Sequence, residues 1–552
     1  MYEDDIFDTI MEQRKIEDVD HFLNPTEEDL LPLDSLKNID KAYNTVKLAL
    51  DNHLNIAILA DVDVDGITSG AEMYRYLKHF TNEEITVFIN EGKQHGLKGQ
   101  DLNKFISFDL LIIVDSLDED ESCYKELFNN GVEIIVLDHH AIKTEIPYDK
   151  YVTMVSSQRN YKNPYLSGAG VVWKFCKYMD RQEETNYADE LLDLCASGLI
   201  GDMMDMTVME NRYLVNEGLK QINNLAIKKI VGGFAFNSTA IAFSIAPLVN
   251  AANRMGQNEI ALQVFLEDDN KKVLALVKAL KKCREDQNAE VDRLLPDVIK
   301  QCEEQSDKKM IITYINTPYG IAGLIGNKLL EKYQRPILVL KDSRSIYAGS
   351  MRATGVDDFR VICNNSGYAK CDGHELAAGI QIKKSDLNKF ISYVEENLPE
   401  LKEPTIDIDA WISVNDITRK LVDKIKSIDL VSGTGFKPVR FYIDDIDEYE
   451  IGQMSDYKHL VIKPNDYLQV IKWNFSGSFE EMEDHSMMND KVEVVVSLDS
   501  GFLGRKFVLK AVCDEIEVAE WKIIMFAITY MMKPHYWIVV PIINYIQIEP
   551  LN

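Results

Sequence analysis

Residues 55–80 read NIAILADVDVDGITSGAEMYRYLKHF, and the change of pattern inside this stretch indicates the fold. Residues 56–60 form an apolar run, which is typical of a strand buried in a parallel sheet. Apolar residues at helical spacing follow from Thr68, and either Thr68 or Ser69 can cap that helix. Between the strand and the helix stand three alternating aspartates and a glycine: Asp61, Asp63, Asp65 and Gly66.

Further apolar runs repeat the strand pattern downstream. One covers residues 84–90, a second ends at Asp115, and a third ends at Asp138. A helix is predicted over 124–131, where Gly131 ends it. This alternation of strand and helix predicts an α/β fold built on a parallel sheet with helices on both faces.

Polar residues follow the carboxyl ends of these strands, where ligands of parallel sheets usually bind. Carboxylates and imidazoles are ligands that manganese and magnesium accept, and two such ions about 4 Å apart can activate a water. Gly66 removes a side chain where the backbone must approach the site. The strand ends therefore predict a metal site built from Asp61, Asp63, Asp65, Asp115, Asp138, His139 and His140.

Other interpretations of these clusters remain open at this point. DVDVDGITSGAE begins like an EF-hand calcium loop, and Glu72 stands at its twelfth position. An apolar strand precedes this segment, whereas a helix precedes an EF-hand loop. The aspartates could instead form a solvated turn, and the DHH triplet alone could be a helix cap followed by surface histidines. The occurrence of three clusters, each at a strand end, favours the metal site.

Composition sets the wider limits. The chain has 552 residues, of which 46% are hydrophobic, and a net charge of −30, which taken alone argues against a nucleic-acid partner. Eight cysteines without a CxxC pair fit a reducing compartment and exclude a thiolate zinc cluster. The N-terminus lacks a signal-peptide core, and Lys533 and two prolines interrupt the apolar stretch 521–548. We therefore expect buried strands at 521–548, and a cytoplasmic protein without a membrane partner.

Four segments resemble the motifs of the DHH phosphoesterase superfamily: ADVDVDGITS at 60–69, LLIIVDS at 110–116, IIVLDHH at 134–140 and SGLIGDMMD at 197–205. The longer pattern, over about residues 20–515, is similar to the RecJ family of single-strand-specific 5′→3′ DNA exonucleases. It includes YLSGAGVVWKF, IAPLVNAANRMG, YAGSMRATG, CDGHELAAGI and VSGTGFKPVRFYI. The resemblance implies a RecJ-like exonuclease in which two Mn²⁺ or Mg²⁺ ions activate a water.

The resemblance also implies roles for individual residues. The metal ligands would be Asp63, Asp65, Asp115, His139 and Asp202, with Asp61 in or beside the site. Asp138, His139 and His140 form the catalytic motif, in which Asp138 orients a histidine and His140 contacts the scissile phosphate. Asp205 matches no motif position and is expected on a helix face. The residues that would face the nucleic acid are Asn250, Arg254, Ser350, Arg352, Gly373 and His374.

The same resemblance divides the chain. We expect a lead-in over 1–50, a DHH catalytic domain over 51–257, a connector helix over 258–304, a DHHA1 domain over 305–403, and an OB-fold-like domain over 404–552 with an unassigned C-terminal extension. The connector is basic over 271–284, and Tyr467, Trp473 and Phe475 are available as stacking platforms, although Trp473 is expected in the barrel core.

Some positions depart from the family pattern. Asp372 replaces a glycine, Leu248 stands where arginine is common, and residues 89–99 lack an expected arginine. These departures remove positive charge from substrate contacts and would suit a phage or prophage member. They leave open the choice between DNA and RNA.

We predict cleavage of single-stranded DNA by a monomer, with a single-stranded-DNA-binding protein as a possible partner by family analogy. Two alternatives are a DHH nuclease acting on short RNA or dinucleotides, and a non-catalytic DHH scaffold of replication. Residues 405–515 argue against the first, because such nucleases usually lack the OB module. The complete ligand set argues against the second.

Overall fold

A computed structural model describes most of the chain. The described residues are 3–90, 96–118, 121–142, 150–233, 235–402, 406–454, 458–473, 475, 477–488, 490–503, 506–518, 538–542 and 545–549. All structural statements below refer to these residues.

The first sheet has five parallel strands in the spatial order β2-β1-β3-β4-β5. Its strands are β1 Ile56–Ala60, β2 Ile85–Ile89, β3 Leu110–Val114, β4 Glu133–Asp138 and β5 Thr153–Ser156. The three central strands are apolar and almost fully buried, because helices cover both faces. The predicted parallel α/β fold is therefore confirmed, and the carboxyl ends of these strands lie along one edge.

Ten helices precede or surround this sheet within the described residues. They are α1 Glu3–Gln13, α2 Val19–Leu23, α3 Ile39–Asp51, α4 Val64–Leu77, α5 Ser122–Asn129, α6 Gly168–Glu183, α7 Leu192–Gly201, α8 Met209–Lys220, α9 Leu225–Val231 and α10 Ser238–Arg254. Helix α4 begins at Val64, so the predicted cap at Thr68 or Ser69 is wrong. Asp63 caps the helix by accepting a hydrogen bond from the Gly66 N–H at 3.0 Å.

Two helices, and not one, occupy the predicted connector 258–304. They are α11 Asn258–Leu266 and α12 Asn270–Glu303. The break falls at Asp269, whose carboxylate accepts hydrogen bonds from the N–H groups of Lys271 and Lys272 and so starts a new helix. The long second helix packs against both α10 and the next sheet, and it connects the two regions as predicted.

The second sheet is mixed, with the spatial order β6-β7-β8-β10-β9. Its strands are β6 Ile311–Tyr314, β7 Ile337–Ser343, β8 Ile346–Arg352, β9 Ala369–Gly373 and β10 Ala377–Lys383, and its helices are α13 Ala322–Tyr333, α14 Phe359–Asn365 and α15 Leu387–Asn397. This is the smaller α/β unit that the sequence predicts.

The C-terminal region is built mainly of strands, as predicted. A sheet of seven strands has the order β12-β13-β17-β18-β16-β15-β14, and β11, β19 and β20 form a small second sheet. The bounds are β11 Ile406–Asp407, β12 Ala410–Trp411, β13 Phe441–Ile446, β14 Glu450–Met454, β15 His459–Lys463, β16 Leu468–Lys472, β17 Val492–Leu503, β18 Lys506–Val518, β19 Ile538–Ile542 and β20 Tyr545–Glu549, with helices α16 Arg419–Asp429 and α17 Phe479–Met488.

Short 3-10 turns complete the described secondary structure: Glu27–Asp29, Leu33–Ser35, Leu102–Lys104, Tyr187–Leu191, Lys384–Asp386 and Val414–Asp416. The predicted strands within 521–548 are present at β19 and in part of β20, and the rest of that stretch lies outside the described residues. In the part of the chain that the structure covers, no helix has the length and apolar character needed to cross a bilayer.

The core beneath the first sheet contains one carboxyl without a hydrogen bond. Glu72 in α4 is fully buried, and neither of its side-chain oxygens has a hydrogen-bond partner among the described residues. Burial, together with the charges of Asp65 and Asp193, holds the pKa of Glu72 well above its usual range. The EF-hand interpretation is wrong, because Val64–Leu77 is a helix and the metal-binding loop that Glu72 would close does not exist.

Replacing Glu72 with methionine is expected to raise the free energy of unfolding by about 2 kcal/mol at pH 8, because an unsatisfied buried polar group costs about 1–3 kcal/mol. The gain should shrink near pH 4, since the unfolded carboxyl is then protonated as well. Urea unfolding at both pH values measures the difference. Glu72→Gln is the control: it removes the pH-dependent part of the cost but leaves an unsatisfied polar group, so its gain should be smaller than that of methionine at pH 8 and about zero near pH 4.

Candidate active site

The acidic edge of the first sheet gathers the predicted ligands. Three sets of side chains place one ligand atom each within 4.8 Å of one another: Asp61 with Asp63 and Asp115, Asp65 with His139 and Asp202, and Asp115 with His139 and His140. His139 and Asp115 each belong to two of these sets. Residues that are up to 141 positions apart in the chain therefore form one continuous cluster of carboxylates and imidazoles.

Asp65 is held by the start of another helix. Its carboxylate accepts hydrogen bonds from the N–H groups of Gly168 at 2.6 Å and Ala169 at 3.0 Å, in the first turn of α6. The positive end of the α6 dipole also favours a negative charge at this position. Asp65 is thus fixed in direction although it lies in the first turn of α4 and is almost fully buried.

Asp115 is the most confined member of the cluster. It follows β3 directly, is buried, and has a left-handed backbone with φ of 53°. Its Oδ1 atom lies 3.2 Å from His139 Nε2 but has no hydrogen-bond partner among the described residues. Burial and the neighbouring charges of Asp65 and Asp63 raise the pKa of Asp115 well above its ordinary value.

His139 lies at the centre of three carboxylates. Its Nε2 atom is 3.2 Å from Asp115 Oδ1, 3.4 Å from Asp202 Oδ2 and 3.7 Å from Asp65 Oδ2. A buried carboxylate oxygen without a hydrogen bond, next to several others and an imidazole, is a donor set that hard divalent cations accept. The residues present therefore fit Mn²⁺ or Mg²⁺.

Asp138 orients His140, the second histidine of the triplet. One Asp138 oxygen accepts the His140 backbone N–H at 3.0 Å, and the other lies 2.8 Å from His140 Nδ1. Burial opposes the charge on both partners, yet their attraction lowers the pKa of Asp138 and raises that of His140 to about 9. Of the two histidines, Asp138 thus orients His140, while His139 faces the carboxylate cluster.

The metal-free protein is expected to lose stability as the pH rises from about 4 to about 8. Burial and nearby aspartates raise the pKa of Asp63 to about 6 and that of Asp202 to about 8. The unfolded chain releases these protons at lower pH than the folded chain, so their stabilising contribution is complete below the unfolded pKa and is lost above the folded one.

Thermal unfolding with EDTA and with Mn²⁺, at pH 5 and pH 8, measures this effect. Mn²⁺ should raise the midpoint by several degrees more at pH 8, because the ion replaces protons on the same carboxylates. An equal or larger shift at pH 5 would contradict the expectation.

A second cluster is cationic and lies between the first and second sheets. The backbone of Arg254, at the end of α10, accepts a hydrogen bond from the Gly320 N–H at 3.1 Å, and Arg254 Nη1 donates to Gln287 at 3.3 Å. Arg352, on β8, donates to Asn327 at 2.6 Å and to Ser350 Oγ at 2.6 Å.

These two guanidinium groups repel each other. Burial lowers the pKa of Arg254, and burial together with the charge of Arg254 lowers the pKa of Arg352. In the described part of the chain, neither forms an ion pair with a carboxylate. Two half-buried cations without an anionic partner indicate a binding site for an anion such as phosphate.

The other expected substrate residues lie on α10, on β8 and on the hairpin that pairs with β8. Asn250 is one turn before Arg254 on α10, and so shares its face. The β9–β10 hairpin carries Gly373, with φ of 130°, and His374, and strand pairing places Ala377 of this hairpin opposite Arg352. Part of the 89–99 loop that lacks the expected arginine, 91–95, lies outside the described residues.

A cavity of about 290 Å³ opens beside Arg254. Helices α10, α12 and α13 line it, and its charged lining residues are three basic ones, Arg254, Arg284 and Lys328, and one acidic one, Glu331. The cavity is therefore cationic although the whole chain carries a net charge of −30. Local charge, and not net charge, describes this surface.

Comparison with known proteins identifies the family. The model of the DHH family, N-terminal domain, matches residues 55–199. A Bacillus subtilis protein, provisionally named as the SPbeta prophage-derived single-strand DNA-specific exonuclease YorK, is 30% identical over 468 residues, which cover 76% of this chain and 79% of that protein. The chain belongs to the RecJ-like family of DHH proteins.

Named RecJ proteins match this RecJ-like chain at lower identity. The single-stranded-DNA-specific exonuclease RecJ of Bacillus subtilis is 26% identical over 448 residues, which cover 75% of this chain and 55% of that protein. RecJ of Thermus thermophilus is 25% identical over 399 residues, which cover 69% of this chain and 57% of the relative. The chain therefore spans little more than half the length of these two relatives.

Solved structures show the same fold. The crystal structure of Thermus thermophilus RecJ in complex with Mn²⁺ matches with a TM-score of 0.73 at 22% identity, over 93% of this chain and 76% of that one. A crystal structure of exonuclease RecJ bound to manganese matches with a TM-score of 0.56 at 26% identity, over 67% of this chain and 97% of that one. The RecJ-like fold thus extends beyond the DHH domain.

Several expectations need correction in this RecJ-like protein. The solvated-turn interpretation of the aspartates is wrong, since Asp61 and Asp65 are buried. Asp205 is not on a helix face; its Oδ1 accepts hydrogen bonds from the N–H and hydroxyl of Thr207 in the turn after α7. Trp473 is 44% exposed and is not a core residue, because it follows the end of β16 and lies against His459 at the surface.

Sequence reasoning missed the residues that hold the ligands. Asn90 donates to Asp61 Oδ1 at 3.2 Å and to Ser116 Oγ at 2.5 Å, and it follows β2, so the strand-end rule could have found it. The Gly168 and Ala169 amides that hold Asp65 follow Ser167, the N-cap of α6. A serine before a glycine is a usable sequence signal for a helix start, but it does not indicate which carboxylate the free amides will bind.

Proposed function

We propose that this RecJ-like protein is a metal-dependent exonuclease that hydrolyses single-stranded DNA from the 5′ end. The observation that carries the proposal is the buried carboxylate cluster around Asp115 Oδ1, which lies 3.2 Å from His139 Nε2 and has no hydrogen-bond partner in the part of the chain that the structure describes. Its fit to two Mn²⁺ or Mg²⁺ ions supports hydrolysis of a phosphodiester, the reaction that paired metals promote.

The residues divide into ligands and groups that contact the substrate. The metal would be held by Asp61, Asp63, Asp65, Asp115, His139 and Asp202. When bound, Mn²⁺ or Mg²⁺ supplies Lewis acidity, which promotes deprotonation of the attacking water and stabilises charge on the phosphate. His140, oriented and kept protonated by Asp138, donates a hydrogen bond to an oxygen of the scissile phosphate.

The cationic cluster would set the end preference. Arg254 and Arg352 lie close enough for their charges to repel each other, and both lack a carboxylate partner among the described residues. A terminal 5′ phosphate would supply the missing negative charge, so the chain would be cut close to that end. Asn250, Ser350, Gly373 and His374 would complete this contact.

The remaining assignments complete the proposal. The chain would function in the cytoplasm as a monomer, with a catalytic domain over 51–257, a connector over 258–304, a DHHA1 domain over 305–403 and an OB-like domain over 404–552. A single-stranded-DNA-binding protein would be a natural partner, since it occupies the same substrate. The relatives named as single-stranded-DNA-specific exonucleases support the choice of DNA.

A time course with Mn²⁺ on single-stranded 40-mers labelled at the 5′ or the 3′ end tests the proposal. Immediate release of a labelled mononucleotide from the 5′-labelled strand only, absent in Asp138→Ala, is the expected result. Release from the 3′ end would overturn the polarity. No cleavage of DNA, with cleavage of a short RNA or a dinucleotide, would favour the alternative substrate class.

A further inference from the structure

Tyr165 is an exposed aromatic residue whose backbone is held on both sides. It lies in the loop between β5 and α6 and is 53% exposed. Its N–H donates to Asn163 Oδ1 at 3.0 Å, and its carbonyl accepts from Asn211 Nδ2 at 2.7 Å. Both asparagines are buried, so the backbone position of the tyrosine is fixed by groups that cannot exchange with water.

The support for Tyr165 continues into the protein core. Asn163 Nδ2 donates to Asn211 Oδ1 at 2.8 Å and to Glu210 Oε2 at 3.0 Å. Glu210 in turn accepts a hydrogen bond from the fully buried Lys174. A surface aromatic residue rarely needs a network of buried charged groups to position its backbone, whereas a preorganised binding residue does.

Tyr165 lies next to the metal cluster. It precedes Gly168, whose N–H holds Asp65, by three residues, so its Cα lies within about 11 Å of that of Gly168. Asn211 Nδ2, which holds the Tyr165 carbonyl, also donates to the carbonyl of Asp205 at 3.0 Å, three residues beyond Asp202. Asn211 therefore joins the loop of Tyr165 to the segment that follows α7 and Asp202.

Met203 is a second exposed apolar residue close in the chain to the site. It follows Asp202 directly, is 69% exposed, and has a left-handed backbone with φ of 54°. Glycine is the usual residue in that conformation at a helix end. A methionine there adds backbone strain. Tyr165 and Met203 are thus two exposed apolar residues on segments that also carry groups of the anionic centre, Gly168 and Asp202.

We propose that Tyr165 is a stacking platform for a nucleobase next to the scissile phosphate, with Met203 as its apolar neighbour. Aromatic side chains bind single strands in this way without sequence preference, because every base has a stacking face. The rigid loop places the ring before the strand arrives, which lowers the entropic cost of binding. This inference rests on the proposed function, since it assumes a single-stranded polynucleotide at the metal site.

Equilibrium binding of a fluorescein-labelled single-stranded DNA 20-mer tests the inference, in an Asp138→Ala background so that the strand stays intact. Tyr165→Ala should weaken binding about tenfold, within the range measured when stacked aromatic residues are removed. Tyr165→Phe keeps the ring and should stay within about twofold of the parent. Leu48→Ala removes another exposed apolar side chain, on α3, and should change nothing.

Walking a single abasic site through the first six nucleotides identifies the stacked base. At one position the parent should lose about tenfold in affinity, and Tyr165→Ala should lose little more, because both changes remove the same contact. Additive losses at every position, or Tyr165→Phe as weak as Tyr165→Ala, would overturn stacking. The near-ultraviolet circular dichroism of each variant checks that the loop is intact.

The outcomes separate this inference from the proposed function. If the wild-type protein cleaves single-stranded DNA while Tyr165→Ala binds like Leu48→Ala, only the inference fails. If the wild-type protein neither binds nor cleaves single-stranded DNA or RNA, the proposed function and the inference fail together. If it acts on RNA alone, the same binding series on an RNA 20-mer decides the role of Tyr165.

Discussion

Replacing Asp115 with asparagine is expected to lower the rate of hydrolysis more than about a hundredfold and, at the same time, to stabilise the metal-free protein. The loss of rate should exceed the 10–100-fold that is typical of groups behind the metal ligands, since Asp115 belongs to two of the ligand sets. The gain in stability follows because a buried carboxyl with a strongly raised pKa is costly at neutral pH.

Asparagine is the suitable substitution at this position for two reasons. It has nearly the shape of aspartate, and among ordinary residues it is one of the few that adopt a left-handed backbone readily, as the φ of 53° requires. The change therefore removes charge and ligand capacity without imposing strain. With alanine, the effects on rate and on stability could not be separated, because alanine creates a cavity and disfavours the backbone conformation.

Asp193→Asn is the matched control for Asp115→Asn. Asp193 is also buried, and burial also raises its pKa, but its Oδ2 accepts hydrogen bonds from the N–H groups of Asn223 and Asn224, both at 2.7 Å. Asparagine there loses an acceptor and should destabilise the fold. Urea unfolding with EDTA at pH 8 and initial rates with Mn²⁺ measure both effects. If Asp115→Asn also lowered stability, the unpaired oxygen would not be the costly feature inferred here.

The strand-end rule explains how much of the site the sequence could predict. Asp61, Asp115 and Asp138 follow parallel strands, and the topology alone brings them to one edge. Asp202 has no such signal, because it caps a helix, so only the resemblance to the family indicated it. The pairing of Arg254 with Arg352 also required the structure, since it depends on how α10 meets the second sheet.

The misplaced start of α4 has a physical cause. Helical spacing of apolar residues marks the buried face of a helix, and in the first turn of α4 the buried Asp65 and Gly66 stand between Val64 and Ile67 and interrupt that pattern. Asp63 is both a metal-ligand candidate and the N-cap, and Asp65 lies inside the first turn. The sequence pattern therefore predicts a loop for functional residues that form the start of the helix.

Replacing Gly168 with alanine is expected to lower the rate of hydrolysis and the affinity for Mn²⁺ by about ten- to a hundredfold. A Cβ atom at Gly168 would lie 2.5 Å from Asp115 Cβ and 2.8 Å from its Oδ1, which is closer than real contacts allow. Either Asp115 or the start of α6 must then move. If α6 moves, Asp65 loses the Gly168 amide that holds it, so two ligands are disturbed by one methyl group.

Helix propensity gives the opposite prediction for Gly168→Ala, which makes the test informative. Gly168 lies in the first turn of α6, where its backbone is helical, and alanine is favoured over glycine in helices by up to about 1 kcal/mol.

Gly233→Ala is the control, since no atom lies within 4 Å of the added methyl group, and its activity should stay within about twofold. Initial rates across a Mn²⁺ titration measure both variants. Unchanged Mn²⁺ affinity in Gly168→Ala would contradict this expectation. It would mean that α6 can move away from Asp115 without breaking the hydrogen bond to Asp65, and that the contact between Gly168 and Asp115 serves packing alone.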